Sequence, residues 1–389
     1  MSSFTPAQRL LDLPPYLFAE LDKRVAQKRA EGADVVSFGI GDPDFPTPPH
    51  IVRALQDAVA DPSTHNYPSY SGMPELRNAI AEWMNKRFNV VLDPDTEVLP
   101  LIGSKEGVVH LPWAVVGDGD VAIVGDPGYP VHDIGVRLAG GTPVPLPLHR
   151  QDGFLPDFSQ IDASVARAAK MIWLCYPGNP TGATCDLDTF ERSVSYCRQN
   201  NILLAHDAAY SEITYDGYVS PSVLQVDGAK DVAVELHSFS KTFNMTGWRV
   251  GWICGNADAI EALGRLKTNL DSGVFNAIQR ACIAALNGPM DFLDAQLDIF
   301  ARRRNNAVAA LQQVGIDATA PRGSFYLFVP VPDGHTSESF ATKLLDEAAV
   351  VVAPGNGYGD NGEGFVRFSL TLPDDRLEVG IERIRKLSL

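Results

Sequence analysis

The sequence has few cysteines, and the spacings that mark disulfide frameworks and metal sites are missing. Its five cysteines are odd in number and include no Cys-x-x-Cys pair, which excludes a small disulfide-stapled domain and predicts reduced thiols. The eight histidines form no His-Glu-x-x-His motif or other metal-ligand spacing on one helix face. We therefore predict no metal site.

Positive charge is also scarce. The 389 residues contain 32 lysines and arginines against 48 aspartates and glutamates, a net charge of -16 at pH 7, which opposes binding to nucleic acid or to acidic membrane surfaces. No run of about 18 uncharged apolar residues occurs, and the first residues lack the basic and apolar regions of an export signal. We expect a cytoplasmic protein that acts on small molecules and binds neither nucleic acid nor membrane.

Apolar residues make up 45% of the chain, which is enough to bury the cores of two domains. After residue 97, short and nearly continuous apolar runs alternate with helical patterns, as in a parallel sheet that helices cover on both faces. The strand candidates are residues 98–102, 121–124, 143–146, 171–176, 202–206, 233–237 and 250–254. The predicted fold class is α/β, with a doubly wound, mostly parallel seven-stranded sheet.

The predicted domains are a large one, residues 46–290, and a small α+β one, formed by the N-terminal arm of residues 1–45 together with residues 291–389. The small domain is indicated by the change in pattern after residue 312, where short strands and helices alternate. The helical pattern before it contains three consecutive arginines, Arg302 to Arg304. We interpret these arginines as a solvated helix face.

The stretch SFSKTFNMTGWRVGW brings a lysine amine, two hydroxyls and a cation together, because Ser238, Ser240, Lys241 and Arg249 fall within twelve residues. A lysine beside a cation and away from water loses its proton more readily and becomes a nucleophile. A guanidinium can hold a phosphate through two parallel hydrogen bonds. The stretch suits a phosphorylated aldehyde, although a surface loop with a solvated lysine would contain the same residues, so both interpretations are open at this point.

This stretch resembles the Schiff-base lysine motif of the class I/II aminotransferases, which are fold type I pyridoxal-phosphate enzymes, and the resemblance covers nearly the whole chain. It implies pyridoxal 5'-phosphate as the cofactor and Lys241 as the residue that binds it covalently. Phosphate contacts from Ser238, Ser240 and Arg249 are implied as well. The resemblance also implies a homodimer with shared active sites.

Three polar residues that follow predicted strands match the family's contacts to the cofactor ring. Asn179, in YPGNPTG, matches an asparagine that donates to the ring oxygen and helps to hold the substrate carboxylate. Asp207 and Tyr210, in HDAAYSE, match the carboxylate that keeps the ring nitrogen protonated and the phenol that contacts the ring oxygen. The resemblance gives both a catalytic role beside Lys241. Taken alone, an aspartate at a strand end is more often a helix or turn cap.

Other matching residues lie in turns. Ser104 and Lys105, in GSKEG, match the family's phosphate-binding turn at a helix N-terminus, where anions are attracted; a plain cap by Ser104 is the alternative. Tyr129, in DPGYP, matches the aromatic side chain that stacks on the ring, with core packing as its alternative. Tyr67 matches a tyrosine that reaches the phosphate in the neighbouring subunit, with loop packing as the alternative.

Substrate contacts follow from the same resemblance. Arg367, in FVRFSL, matches the arginine that clamps the substrate α-carboxylate through two hydrogen bonds. Tyr16, Gly41, Lys105 and Asn276 match substrate contacts of the LL-diaminopimelate aminotransferases, and Asn276 is expected to reach across the dimer interface. An ordinary surface arginine and a turn-rich linker are the alternatives for Arg367 and Gly41.

Two positions bear on the substrate. Aspartate aminotransferases carry an arginine five residues before the asparagine, where this chain has Asp271, and an acid there can attract a distal ammonium group. One departure from the plant-type LL-diaminopimelate enzymes is Tyr70, which stands where they carry an acidic residue.

The reaction implied is transamination in two half-reactions, with LL-2,6-diaminopimelate as donor and 2-oxoglutarate as acceptor. A broad aspartate, alanine or aromatic aminotransferase, and a pyridoxal-phosphate-dependent lyase on the same scaffold, stay open as alternatives.

Overall fold

The computed structural model describes residues 4–13 and 17–387. The strands are β1 (Val36–Ser37), β2 (Val98–Leu101), β3 (Val121–Asp126), β4 (Thr142–Pro147), β5 (Ala169–Leu174), β6 (Leu203–Asp207), β7 (Ala233–Ser238), β8 (Gly251–Gly255), β9 (Tyr326–Pro330), β10 (Val350–Val351), β11 (Ala353–Pro354) and β12 (Phe365–Ser369). The α-helices are α1 (Gln8–Leu11), α2 (Leu17–Ala30), α3 (Pro49–Ala60), α4 (Pro74–Phe88), α5 (Ser104–Val115), α6 (Pro130–Leu138), α7 (Ala163–Ala168), α8 (Leu187–Asn200), α9 (Phe239–Thr242), α10 (Ala257–Leu270), α11 (Asn276–Asn287), α12 (Asp291–Gln313), α13 (Ser337–Ala348) and α14 (Asp374–Arg385).

A seven-stranded sheet contains all seven strands that the apolar runs predict. Its order is β2-β8-β7-β6-β5-β3-β4, and β8 runs antiparallel to its two neighbours while the other adjacent pairs are parallel. The predicted fold class is therefore confirmed. The runs read as continuously apolar because both faces of the sheet are buried.

Successive residues of the central strands enter two different cores. Ile172 and Leu204 join a cluster with helices α3, α4, α8 and α11 on one face. Trp173 and Ala205 join a second cluster with α5, α6 and α10 on the other face. The alternation follows from the two-residue period of a strand, and it gives the three-layer arrangement of a doubly wound fold.

The last third of the described chain, together with β1, forms two smaller sheets. An antiparallel sheet has the order β11-β12-β9, and β1 pairs with β10 in a parallel ribbon. A third apolar cluster joins β9 and β12 to α12, α13 and α14. These elements have the α+β character expected after residue 312, while the domain boundaries at residues 46 and 290 stay predictions. In the described ranges, no helix is long and apolar enough to cross a membrane.

The interpretation of Arg302 to Arg304 as a solvated face is wrong for two of the three arginines. Arg303 and Arg304 are only 4% and 2% exposed. Arg303 donates to both oxygens of Asp44 at 2.8 Å, and Arg304 donates to Asp216 at 2.7 Å. Consecutive helical residues point about 100° apart, so three in a row cannot share one face. The carboxylates of Asp44 and Asp216 therefore hold these two buried guanidinium groups.

Candidate active site

One cavity of about 440 Å³ opens at the carboxyl ends of the parallel strands, where loops collect functional side chains in open α/β sheets. Twelve of the residues singled out in the sequence line it together: Gly41, Ser104, Lys105, Tyr129, Asn179, Asp207, Tyr210, Ser238, Ser240, Lys241, Arg249 and Arg367. They come from segments separated by up to 326 residues of sequence, from Gly41 to Arg367. The fold thus gathers most of the predicted site in one place.

The lysine stands on a short helix that begins directly after a central strand. Strand β7 ends at Ser238, whose hydroxyl oxygen accepts from the Ser240 backbone N–H at 3.1 Å and caps helix α9. Lys241 follows on this helix, and its Nζ donates to the Gly41 carbonyl oxygen at 2.6 Å. The amine is therefore fixed against the glycine-containing segment that closes one side of the cavity.

Burial lowers the pKa of Lys241 from 10.5 to about 8. The Asp42 carboxylate opposes this shift, whereas the positive charges of Arg367 and Arg249 reinforce it. An amine with such a pKa is partly neutral near physiological pH, as a nucleophile or base must be. The direction agrees with the expectation from the sequence that a lysine beside cations and away from water loses its proton more readily.

One end of the cavity is suited to an anion. Helix α5 begins at Ser104 directly after Gly103, whose φ is +78°, and the N–H groups of its first turn carry partial positive charge. A Cβ atom at Gly103 would come within 2.4 Å of Arg249 Nη2, so only glycine lets the guanidinium lie against this turn. Arg249 is held there by donating from Nη1 to the Thr246 carbonyl at 2.9 Å.

A buried carboxylate also lines the cavity. Asp207 is 5% exposed, and it accepts from His132 Nε2 at 3.2 Å and from the Ala209 backbone N–H at 3.3 Å. The His132 ring stacks on Trp173 with centroids 4.7 Å apart. The sequence analysis missed His132, although its position three residues after Tyr129 places both on one side of the first turn of α6.

Two phenol groups meet beside this carboxylate. The Tyr210 and Tyr326 hydroxyls are 3.0 Å apart, and burial raises the pKa of both. Tyr326 also lines the cavity, yet the sequence analysis gave it no role. It had no motif to mark it, because it sits in an apolar strand 116 residues away from its partner.

Arg367 is 1% exposed and is oriented by several groups. It donates from Nη1 to Asn179 Oδ1 at 2.8 Å and from Nη2 to the Gly39 carbonyl at 2.6 Å. Its guanidinium carbon lies 4.2 Å from the ring centroid of Tyr326 and 5.0 Å from that of Tyr358. A planar cation held in this way presents a fixed geometry to a carboxylate.

A family model for aminotransferase class I and II matches residues 33–384. This chain belongs to the class I and II aminotransferases. Enzymes of this family transfer amino groups between amino acids and oxo acids and generally depend on pyridoxal phosphate, which agrees with the resemblance found in the lysine motif.

Among its relatives, this aminotransferase is 54% identical over 383 residues to an LL-diaminopimelate aminotransferase from Desulforudis audaxviator, with 98% of each chain covered. It is 48% identical to an LL-diaminopimelate aminotransferase from Aquifex aeolicus, covering 99% of this chain and 100% of the relative. Substrate-bound BacF from Bacillus subtilis superposes with a TM-score of 0.95 at 36% identity, covering 100% and 99% of the two chains. Aspartate aminotransferase from Thermus thermophilus with maleate gives 0.91 at 27% identity, covering 98% and 99%.

Two of the predicted site residues of this aminotransferase, Tyr67 and Asn276, do not line the cavity. Tyr67 is 89% exposed. Asn276 begins α11 and donates from Nδ2 to the Asn66 carbonyl at 3.2 Å, so it lies next to the Tyr67 loop at the surface. Tyr16 lies outside the described residues. Because Tyr67 and Asn276 were assigned to a neighbouring subunit, their roles stay predictions.

The acid at position 271 already has a cation within this aminotransferase. Asp271 lies 3.1 Å from the Nζ of Lys267, which is 1% exposed and also donates to Glu106 at 2.7 Å. Asp271 additionally accepts from the Gly273 backbone N–H at 2.7 Å. These contacts give the carboxylate a structural use at the start of the loop that leads to Asn276.

The cysteines and histidines give no indication of a metal centre. All five cysteines are free. Within residues 4–13 and 17–387, no group of three or more histidine, cysteine, aspartate or glutamate side chains is arranged to hold a metal ion.

Proposed function

We propose that this aminotransferase binds pyridoxal 5'-phosphate in the cavity, with Lys241 as the residue that holds it. The residues present fit the group: the first turn of α5 and Arg249 offer an anion site, and Asp207 offers a carboxylate toward which a ring nitrogen can donate. When bound, the cofactor withdraws electrons from the α-carbon of an amino acid and so makes its proton easier to remove.

The proposed anchors of the phosphate are the backbone N–H groups that begin α5, at Ser104 and Lys105, with Ser238, Ser240 and Arg249. Arg249 and the helix terminus supply positive charge where the phosphate is negative. Tyr67 from a neighbouring subunit would complete this contact. In this arrangement the phosphate fixes one end of the cofactor and leaves the other end to Lys241.

The proposed ring contacts are Asp207 at the ring nitrogen, Tyr129 across the ring face, and Tyr210 with Asn179 at the ring oxygen. Asp207 keeps the proton on the nitrogen because a carboxylate beside a pyridinium favours the charged form. Asn179 Oδ1 already accepts from Arg367, which leaves its amide as the group able to donate to the ring oxygen. The same asparagine therefore links the cofactor site with the carboxylate site.

Lys241 is proposed to carry the proton between the substrate α-carbon and the cofactor. Its pKa of about 8 suits a group that must take up and release a proton near neutral pH. Arg367 holds the α-carboxylate and so keeps the α-hydrogen near the lysine. Removing that proton, instead of the carboxyl group, is what separates transamination from decarboxylation.

We further propose LL-2,6-diaminopimelate as the amino donor and 2-oxoglutarate as the acceptor. The support is the identity of about half of all residues, over nearly the full length, to relatives named LL-diaminopimelate aminotransferase. The proposed substrate contacts are Tyr16, Gly41, Lys105, Asn179, Asn276 and Arg367. With Tyr67 and Asn276 on the surface, the complete site requires a homodimer. The five free cysteines agree with a reducing cytoplasm.

The observation that carries the proposal is the buried Lys241 amine with its lowered pKa, in one cavity with Asp207 and Arg367. The test is an absorbance titration of cofactor-loaded protein with LL-diaminopimelate, aspartate, alanine and phenylalanine, without acceptor. Loss of the lysine-linked band with diaminopimelate alone is the expected result. Equal conversion by the common amino acids would indicate a broad aminotransferase, and products other than oxo acids would indicate a lyase.

A further inference from the structure

Tyr326 touches three parts of the candidate site at once. It is the first residue of β9 and only 2% exposed. Its hydroxyl is 3.0 Å from that of Tyr210, and its ring centroid is 4.2 Å from the Arg367 guanidinium carbon. A Cβ atom at Gly41 would come within 1.9 Å of its oxygen. One side chain therefore joins the proposed ring-oxygen contact, the proposed carboxylate contact and the glycine segment.

The charges around the two phenols favour one of the two possible directions of their hydrogen bond. Two hydroxyls that share one hydrogen bond leave one proton for a third group. Burial raises the pKa of both phenols, but the positive charge of Arg367 opposes the rise for Tyr326, whereas the neighbours of Tyr210 raise its pKa further. The more acidic phenol is the better donor. The Arg367 guanidinium, whose carbon lies 4.2 Å from the ring centroid of Tyr326, therefore favours Tyr326 as the donor between the two hydroxyls, and this direction leaves the Tyr210 proton for the cavity.

We propose that Tyr326 is a positioning residue whose hydroxyl donates to Tyr210, so that Tyr210 presents its own proton to the ring oxygen of the cofactor, and whose ring orients Arg367. This inference rests on the proposed function, since the ring oxygen belongs to the proposed cofactor. Successive hydrogen bonds polarise one another in a low-dielectric site. The Tyr326 hydroxyl thereby makes Tyr210 a stronger donor.

Gly41 supports this arrangement from the opposite side. Its φ does not lie in the left-handed region, so glycine is needed at this position for close approach and not for backbone conformation. Its carbonyl accepts from Lys241 at 2.6 Å while its Cα faces the Tyr326 hydroxyl. The glycine therefore lets the lysine and the phenol pair pack against the same backbone unit.

The experiment compares wild type with Tyr326→Phe, which removes the hydroxyl and keeps the ring. In loaded protein, the absorbance of the bound cofactor titrates with pH, because its ring oxygen and the Lys241 nitrogen share a proton. A weaker Tyr210 donor stabilises the negative ring oxygen less, so the midpoint rises by about half a pH unit. With the ring still facing Arg367, KM for the amino donor stays within about twofold while kcat falls.

The groups that face the two phenols are unchanged by this substitution. The titratable and charged ones are Asp42, Cys175, Asp207 and Arg367. A shift of the midpoint in Tyr326→Phe therefore reports the missing hydroxyl and not a changed charge nearby.

Two further variants distinguish the effect of the Tyr326 hydroxyl from the effect of its ring and from a general loss of stability. Tyr176→Phe removes another buried phenol hydroxyl, which donates to the Phe154 carbonyl at 2.7 Å, and we expect it to leave the midpoint unchanged. Tyr326→Leu removes the ring as well, and the lost contact with the guanidinium raises KM for the amino donor by about tenfold.

The possible results test the role of Tyr326 and the proposed function separately. If wild type binds the cofactor and transaminates while Tyr326→Phe titrates with the wild-type midpoint, the role of the hydroxyl is overturned and the proposed function stands. A Tyr326→Leu variant with unchanged KM overturns the role of the ring. Wild-type protein that forms no cofactor band overturns the proposed function, and the inference with it.

Discussion

Two buried carboxylates on neighbouring central strands have opposite surroundings. Glu235, inside β7, is fully buried and accepts four hydrogen bonds of 2.7 to 2.9 Å, from the side chains of His206, His237 and Ser222 and from the Val223 backbone N–H. Asp207, at the end of β6, accepts two longer ones, from His132 and Ala209. One carboxylate is saturated by its own protein, and the other keeps acceptor capacity toward a cavity.

This difference separates a structural charge from a functional one. Burial alone would raise the pKa of Glu235, but the hydrogen bonds from His206 and His237 hold that pKa well below its usual range. Such a group has no lone pair left for a ligand. Asp207 lines the cavity, and among the described residues it has one side-chain donor, His132, and one backbone donor, Ala209, which leaves lone pairs on its oxygens for a cofactor nitrogen. Both carboxylates are buried, so Glu235 and Asp207 differ mainly in how many of their acceptor positions are already occupied by hydrogen bonds.

The largest expected effect is at the lysine that shares the cavity with Asp207. Lys241→Met removes both the covalent attachment point and the proton carrier, so the rate of transamination should fall by at least about 10⁴-fold. Single-turnover kinetics and the absorbance of added cofactor measure it. Lys170→Met, which replaces an exposed lysine on β5, is the control and should keep the wild-type rate. Transamination by Lys241→Met at near wild-type rate would refute the assignment.

Glu235 should affect stability instead. Glu235→Ala leaves two buried histidines and a hydroxyl without their acceptor, so we expect the free energy of unfolding to fall by about 3–5 kcal/mol. Urea denaturation measures it, with Glu191→Ala on the exposed side of α8 as the control. Activity per folded molecule should stay near that of wild type. A loss below about 1 kcal/mol would show that the saturated network contributes little.

Asp207→Asn tests whether the carboxylate that lines the cavity has a functional role, in contrast to the structural role of Glu235. The amide has the shape of the carboxylate but no charge to hold a proton on the ring nitrogen, so kcat/KM should fall by about 10² to 10³-fold. The free energy of unfolding should change by less than about 1 kcal/mol, because Asp207 makes few hydrogen bonds. Steady-state kinetics and urea denaturation on the same preparation show whether the substitution affects activity or stability. Activity within tenfold of wild type would contradict the proposed role.

Lys241 should also lower the free energy of unfolding of the cofactor-free protein. Its folded pKa of about 8 lies below its unfolded value of 10.5, so between these values the unfolded state binds more protons and stability rises with pH. Below pH 8 the full penalty applies. Lys241→Met should therefore be more stable than wild type at pH 7, by up to about 3 kcal/mol, and the difference should shrink toward pH 10.5. A difference in stability between Lys241→Met and wild type that does not change with pH would disprove the link between the lysine's pKa and stability.

The parts that the sequence predicts correctly are those with local causes. The seven apolar runs become strands because burial on both faces is a property of each run, and Asn179 and Asp207 meet in the cavity because parallel strands end at one edge. The contacts it misses join distant segments. Tyr326 is 116 residues from Tyr210, and Arg303 is 259 residues from Asp44, so neither pairing leaves a local pattern.

The smallest expected effect concerns His132, which among the described residues is the side-chain donor to Asp207. His132→Phe keeps an aromatic ring stacked on Trp173 and removes the hydrogen bond to Asp207. Since one hydrogen bond to a charged group is worth about 1.5 kcal/mol, kcat should fall by about tenfold, while KM for the amino donor stays constant. His335→Asn, at the surface beside Ser339, is the matched control. An unchanged kcat in His132→Phe would mean that the orientation of Asp207 does not depend on its histidine, and the contrast with Glu235 would then rest on access to the cavity alone.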